Sequence, residues 1–453
     1  MKDYLSLIVD VPKRSGSDTI SDRNTARKVF RYYKFSAEIL DLDKNLTKRF
    51  YLIHCVLSYK HQINANELEK YTKVTTELYV SLYHGIETIH TKRQIFSLNY
   101  LSKEEILEKI ENLIKDFLIN IANNSLPKFS INKRGGNFNT DYLKDSGFRM
   151  IDVVEASDVS LSHLPSLRKY TIMMVCLCHC YKLILMGKHS TKRDIYYSNV
   201  NLFVCQGYVD DCLANISCML GVPRNSLNVL SSAKGLIYGC LKYTNQNNLT
   251  VNCYDQVTQI PSEIESIQII QITARYILVI EKEAIFQRIA EHGFQEKLGH
   301  SLIITGKGFP DVNTRMLLNK ICKHVSIPVF ALVDADPHGI EIMFVYKFGS
   351  KSMSYEAEHL TCPSMKWLGI LPKDIIGMRI PNRVLIPLSQ NDNKKLLDLM
   401  NRPYVLQNKD YKEQINFLHE SGLKAEIECL DSISHTYITD IYLPLKLRNG
   451  VWI

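Results

Sequence analysis

The chain has 453 residues, 45% hydrophobic and 23% charged, a balance that excludes disorder along its whole length. That length exceeds what one hydrophobic core usually fills, so two or three domains are expected. Lys and Arg outnumber Asp and Glu by 55 to 47, and the resulting formal charge of +8 suits a polyanionic partner without identifying one.

The N-terminus carries Lys2, Asp3 and Asp10 without a long apolar core, so no secretory signal is expected there. No uninterrupted apolar run approaches the ~18 residues of a membrane span; the nearest, 171–186, contains His179 and Lys182. The chain therefore reads as intracellular, with reduced thiols and no membrane partner.

Residues 1–125 read as a helical N-terminal region. Proline is absent between Pro12 and Pro127, and Ser102-Lys103-Glu104-Glu105 is a capping-box sequence leading into an amphipathic stretch over 106–119. Residues 126–149 turn to Pro, Asn, Gly and basic residues, including Lys133-Arg134-Gly135-Gly136, and read as a linker with either a solvated surface or a phosphate contact.

Residues 150–245 contain three helical stretches, 168–186, 191–204 and 206–220. The second opens on the capping box Thr191-Lys192-Arg193-Asp194, and the third is followed by Gly221 and Pro223. Two short apolar runs, 226–230 and 236–238, flank Ser231-Ser232-Ala233-Lys234-Gly235 as a small hairpin would. Three helices and a hairpin predict a winged helix-turn-helix domain, able to set a helix in the major groove. Cys176, Cys178 and Cys180 around His179 lie inside an apolar stretch with no second ligand pair, so helix packing rather than zinc is expected.

Residues 265–453 alternate strand and helix: strands over 276–280, 301–305 and 329–333, helices over 283–292 and 312–324, and another starting near His338. This predicts an α/β sheet with helices on its faces, whose ligands collect beyond the carboxyl ends of the strands. Glu281 is the first charged residue after Ile277-Leu278-Val279-Ile280. Asp334 and Asp336 follow the apolar run 329–333 in Asp334-Ala335-Asp336-Pro337-His338-Gly339. Hard carboxylate oxygens at strand ends suit Mg2+, which keeps several waters and needs few protein ligands. Between them Gly306-Lys307-Gly308-Phe309 permits close backbone approach, and Lys307 can reach a phosphate. The loop lacks the Walker A spacing, so ATP is not inferred. The C-terminal 80 or so residues read as an extension of this domain with little chemistry of their own.

A phenol has a pKa near 10 and is mostly neutral at pH 7. Among 25 tyrosines, Tyr197 stands out because Arg193 lies four residues earlier on the same helical face, whereas Tyr196 points about 100° away. The guanidinium favours phenolate and can grip phosphate.

Taken together, Lys192 to Tyr197, Ser226-Leu227-Asn228-Val229 with Ala233-Lys234-Gly235-Leu236, Val279-Ile280-Glu281-Lys282-Glu283-Ala284, the 306–311 loop, Val333 to Gly339, Gly349-Ser350 and Lys366-Trp367-Leu368-Gly369 occur in the order of a known family. The chain resembles the catalytic A subunit of topoisomerase VI, a type IIB DNA topoisomerase, and above all its eukaryotic relatives that initiate meiotic recombination. The resemblance covers about residues 150–370. It implies a multidomain α/β protein: helical N-terminal region, tyrosine-bearing winged-helix domain, and Toprim domain. It implies Tyr197 as nucleophile, Glu281, Asp334 and Asp336 as Mg2+ ligands, Arg193 and Lys234 as basic helpers, and Phe309 as a DNA contact beside Lys307.

The implied reaction is a double-strand cut by tyrosine transesterification that leaves a 5′-phosphotyrosyl link and starts meiotic recombination in the nucleus, on meiotic chromosomes. The implied partners are double-stranded DNA, a second copy of the chain, a topoisomerase VI B-like subunit, and meiotic accessory proteins, with each site shared between protomers. The alternatives are a conventional topoisomerase VI A subunit working with an ATPase, a hydrolytic Toprim nuclease or primase, and a non-catalytic DNA-binding scaffold.

Overall fold

Alternating and helical apolar patterns divide the chain into two packed parts. The computed structural model describes residues 95–453 apart from 136–138, 152–155, 163 and 246, so most of the helical N-terminal region expected over 1–125 lies outside the described residues. Its last helix, α1 (Lys103–Ala122), starts where the sequence places it. Ser102 Oγ accepts the Glu105 N–H at 3.2 Å, and Glu105 Oε2 accepts the Ser102 N–H at 2.7 Å.

The first part is built on α1, α2 (Leu164–Met186), α3 (Lys192–Ser198), the single turn α4 (Val200–Phe203) and α5 (Gln206–Leu220). Ile106 and Ile110 of α1, Met173 and Leu177 of α2, Ile195 of α3, and Leu213 and Ile216 of α5 share one apolar core. Cys176 and Cys180 are buried in it and Cys178 is exposed, so the thiols sit on different faces as helix packing requires. By length and composition α2 could cross a membrane. Its buried residues instead meet α1 and α5, which accounts for its apolarity.

Two expectations fail in this part. The expected linker 126–149 is largely strand: β1 (Lys128–Asn132) pairs antiparallel with β4 (Ala156–Ser160), and β2 (Thr140–Leu143) forms a hairpin with β3 (Gly147–Met150). The cause is a period-two pattern too short to stand out, in which Phe129 and Ile131 are buried and Lys128 and Ser130 exposed.

The hairpin expected around residues 231–235 does not form either. β6 (Val229–Leu230) pairs in parallel with β5 (Ser190–Thr191) just ahead of α3, while β7 (Leu236–Gly239) leaves to join the second part. Ile237 is buried on one face of that sheet and Leu236 on the other, and a wing projecting into solvent has no use for two apolar faces.

The second part carries a six-stranded sheet in the order β10-β7-β13-β12-β14-β15. It comprises β10 (Thr258–Gln259), β12 (Ile277–Ile280), β13 (Leu302–Thr305), β14 (Val329–Leu332) and β15 (Lys366–Gly369) together with β7. Strands β13, β12, β14 and β15 are parallel neighbours, with β7 antiparallel on β13 and β10 antiparallel on β7. A smaller sheet of β8 (Leu241–Thr244), β9 (Thr250–Asn252) and β11 (Gln268–Ile272) lies in the connection.

Every residue of β12, β13 and β14 is buried. Ile277, Val279, Ile304 and Ala331 face α7 (Val312–His324) and α8 (Pro337–Phe348) through one core. Leu278, Ile280, Ile303 and Leu332 face α6 (Glu283–Glu291) and the C-terminal residues Ile427, Leu430 and Leu443 through the other. Burial on both faces is why these strands read as continuous apolar runs.

Gly235 is where the chain passes from one part to the other. A Cβ there would lie 2.1 Å from Thr314 Oγ1 and 3.0 Å from the Thr305 carbonyl oxygen. Replacing it overpacks the junction, so Gly235→Ala should cost about 1–3 kcal/mol in urea unfolding. A variant with unchanged midpoint would show that this approach is not a constraint.

Candidate active site

The register of the parallel strands decides what meets at the sheet's carboxyl edge. Ile280 is opposite Leu332 on one side and Thr305 on the other, so the three strands end level with one another. Glu281, Asp334 and the 306–309 loop therefore emerge at one rim, as the sequence predicts. The Glu281 N–H donates to the Leu332 carbonyl at 3.0 Å, and its own carbonyl accepts Gly308 N–H at 2.8 Å.

Glu281 and Asp334 are buried and in direct contact through the backbone: Glu281 Oε2 accepts the Asp334 N–H at 2.8 Å. Asp336 caps α8, its Oδ1 accepting the Gly339 N–H at 2.6 Å, so the positive end of the helix dipole points at this rim. Gly339 is required by the closeness of the packing. A Cβ on it would meet the Asp334 carbonyl oxygen at 2.6 Å and Glu281 Oε2 at 2.8 Å.

Burial, then the charge of Asp334, pushes the Glu281 carboxyl up from its ordinary value. Burial also raises Asp334, against the opposing pull of the Ile427 N–H and Lys282. The carboxylates thus sit in a place that disfavours their charge until a cation is near.

The donor set fits Mg2+ in chemistry. Glu281 Oε1 and the second oxygen of Asp336 have no hydrogen-bond partner among the described residues. Among the described residues no three His, Cys, Asp or Glu close on a common point as a complete cage. Mg2+ does not need one, since it takes one or two carboxylates and completes its shell with water and substrate phosphate.

Sequence reasoning missed the C-terminal segment 425–428. Ala335 and Ala425 exchange backbone hydrogen bonds at 2.9 and 3.2 Å, and the Ile427 N–H donates to Asp334 Oδ1 at 2.8 Å. Lys282 Nζ lies 3.2 Å from Asp334 Oδ2, 3.1 Å from Glu426 Oε2 and 2.8 Å from Glu428 Oε2. The only signal available in advance was Glu426-Ile427-Glu428, two acids flanking an apolar residue, a pattern common on any surface.

The basic residues divide between the two parts. Lys234 Nζ donates to the Lys307 carbonyl at 3.1 Å, and the Lys234 N–H to Asp311 Oδ2 at 3.3 Å, placing Lys234 with the carboxylate rim rather than with Arg193. Lys307 has a left-handed backbone, φ 53°, and an ion pair to Glu283 at 2.9 Å. Phe309 projects from the same loop, 45% exposed.

The tyrosines differ as the helical faces predict. The reciprocal cap at Thr191 and Asp194 starts α3, with Thr191 Oγ1 accepting the Asp194 N–H at 3.2 Å and Asp194 Oδ2 accepting the Thr191 N–H at 2.9 Å. Tyr196 packs against the helical core and donates its hydroxyl to the Val204 carbonyl at 3.3 Å. Val204 itself is held at φ 63° by a tight Cys205 N–H to Phe203 carbonyl bond of 2.7 Å, an unfavourable backbone for a β-branched residue. Tyr197 is 69% exposed, and its ring touches that of Tyr196 at 5.3 Å between centroids. Among the described residues the Tyr197 hydroxyl has no hydrogen-bond partner, and Arg193 is exposed without an ion pair. No contact joins Tyr197 to Glu281, Asp334 or Asp336 among the described residues.

Residues 276–447 match the Toprim domain of the topoisomerase 6 A-subunit/Spo11 family, and residues 168–229 match the type IIB DNA topoisomerase family. The chain is 41% identical over 354 residues to the meiotic recombination protein SPO11 of Homo sapiens, covering 78% of this chain and 89% of that protein. It is 38% identical over 291 residues to the A subunit of DNA topoisomerase 6 from Arabidopsis thaliana, covering 64% of this chain and 68% of that protein. Similarity to the meiotic recombination protein W68 of Drosophila melanogaster is 28% over 356 residues, spanning 77% of this chain and all 100% of that protein.

The raised Glu281 carboxyl makes stability depend on pH in a definite direction. The native state holds a proton that the unfolded chain releases near about pH 4.3, so stability is greatest below that value and falls as pH rises toward the elevated native pKa. Without metal, Glu281→Gln should remove this decline and raise Tm at pH 8 by roughly 2 °C or more. Thermal melts from about pH 4 to 8 check this; a parallel decline in both proteins rules out Glu281 as its source.

Proposed function

The chain belongs to the topoisomerase VI A-subunit/Spo11 family of type IIB DNA topoisomerases, and from that premise we propose that it makes meiotic double-strand breaks by tyrosine transesterification. The observation that carries this reading is an exposed, unpartnered Tyr197 with unpaired Arg193 one helical turn behind it, out of contact with the carboxylate rim of its own chain.

Tyr197 Oη attacks a backbone phosphorus, forming the Oη–P bond as the P–O3′ bond breaks. The phenolic proton leaves to solvent, the departing oxygen becomes a 3′-hydroxyl, and the 5′-phosphate stays on the protein. Arg193 favours the phenolate and binds the phosphate oxygens through its rigid N–H donors. Lys234, Lys307 and Phe309 approach the DNA from the carboxylate side, the lysines on phosphate.

Glu281, Asp334 and Asp336 hold Mg2+, whose chemistry is to neutralise charge gathering on the phosphate and the leaving oxygen. The Toprim match supports a metal-binding role for this domain. The exchange of one phosphodiester for another needs no ATP.

One tyrosine cuts one strand, so a double-strand break needs two protomers. The separation of Tyr197 from the carboxylates supports a shared site, in which the tyrosine of one protomer meets the rim of its partner. Double-stranded DNA, a topoisomerase VI B-like subunit, and meiotic accessory proteins complete the assembly in the nucleus, on meiotic chromosomes. A conventional topoisomerase VI A role uses the same chemistry, and the likeness to the Arabidopsis protein is the observation in its favour. Religated DNA rather than lasting protein-linked oligonucleotides is its signature.

Covalent protein–DNA complexes recovered from meiotic cells test the nucleophile. Tyr197→Phe should abolish them and Tyr196→Phe should leave most; the reverse pattern, or attachment surviving both, rejects Tyr197. Mixed protomers test sharing. A Tyr197→Phe chain paired with a Glu281→Gln chain reassembles one intact site if sites are shared, giving single-strand nicks. Sites built within one chain give no cleavage from that mixture.

A further inference from the structure

We propose that Lys282 is the resident cation of the carboxylate rim, holding Asp334 in the metal-free protein and moving onto Glu426 and Glu428 when a divalent ion arrives. The inference rests on the reading that Glu281, Asp334 and Asp336 hold that ion. It assigns a positioning role to three residues outside the ligand set.

Asp334 has one oxygen available. Its Oδ1 is committed to the Ile427 N–H at 2.8 Å, and its Oδ2 faces the Lys282 ammonium at 3.2 Å. An incoming cation that uses Oδ2 displaces the ammonium, because two like charges cannot share that oxygen without mutual repulsion. Lys282 already has somewhere to go. Its Nζ lies 2.8 Å from Glu428 Oε2 and 3.1 Å from Glu426 Oε2, and an ammonium has three donors for its three carboxylates.

The receiving side is better solvated than the side being vacated. The Glu426 and Glu428 side chains are 53% and 34% exposed, against 6% for Asp334. Both glutamates are held in position by Ile427 between them and by the backbone pairing of Ala425 with Ala335. Lys282 directly follows Glu281 and precedes α6, so its flexible stem can swing without disturbing either the strand or the helix.

Manganese(II) binding to the full chain without DNA, followed by electron paramagnetic resonance, tests this. Lys282→Met should tighten Mn2+ by roughly fivefold, the worth of one partly exposed ion pair, and lower Tm only in the metal-free state. Glu426→Gln with Glu428→Gln should weaken Mn2+ in the wild-type background. In the Lys282→Met background most of that weakening should vanish, since the glutamates act by receiving the lysine.

Equal weakening in both backgrounds overturns the exchange and leaves only summed charge. Unchanged or weaker binding by Lys282→Met also overturns it. Glu281→Gln is the control on the metal reading. If it loses Mn2+ while the cycle is additive, the metal site stands and the exchange falls; if it binds like wild type, both fall.

Discussion

Level strand ends at the carboxyl edge of the sheet are the constraint on which the rest of the site depends. With Ile280 opposite both Leu332 and Thr305, the first polar residues after three buried strands have to share one rim. Apolar cores on both faces hold that register, because a slip of one residue would exchange the side chains of the two cores. The cost appears in the carboxylates, whose burial works against their ionisation. Helix α8 relieves part of it by aiming its N-terminus at the rim, and the Ile427 N–H and Lys282 relieve more at Asp334.

The same arrangement explains why the nucleophile is elsewhere. A pocket that already strains to hold three acids is a poor environment for a phenolate, which adds another negative charge. Tyr197 lies on a separate helical part beside Arg193, exposed and unpartnered, and Lys234 lies across the junction on the carboxylate side. Chemistry that needs both halves then waits for an assembly that brings them together. Such a division suits a protein whose reaction breaks a chromosome.

Much of this was legible in the sequence, for identifiable reasons. Strands β12, β13 and β14 are buried on both faces and so appear as unbroken apolar runs, and a charge directly after such a run marks the strand end. The caps at Ser102 and Thr191 are local, formed by residues three apart, and both appear where the sequence puts them. Helical spacing favours Tyr197 over Tyr196, and the packed and exposed rings agree with it.

The errors were of a different kind. Residues 126–149 hold strands whose alternation lasts only a few residues, and residues 236–239 join a sheet whose neighbouring strand β13 lies far along the chain, at Leu302–Thr305. Lys282 is 144 residues from Glu426 and 146 from Glu428 in sequence, yet within 3.1 Å of both in space. The sequence by itself determined the elements, their caps and the identity of the acids, because those depend on periodicity and near neighbours. Only the tertiary structure decided which strand Leu236 joins, where Lys234 points and what holds Asp334, because those depend on the packing of distant segments, which leaves no local pattern.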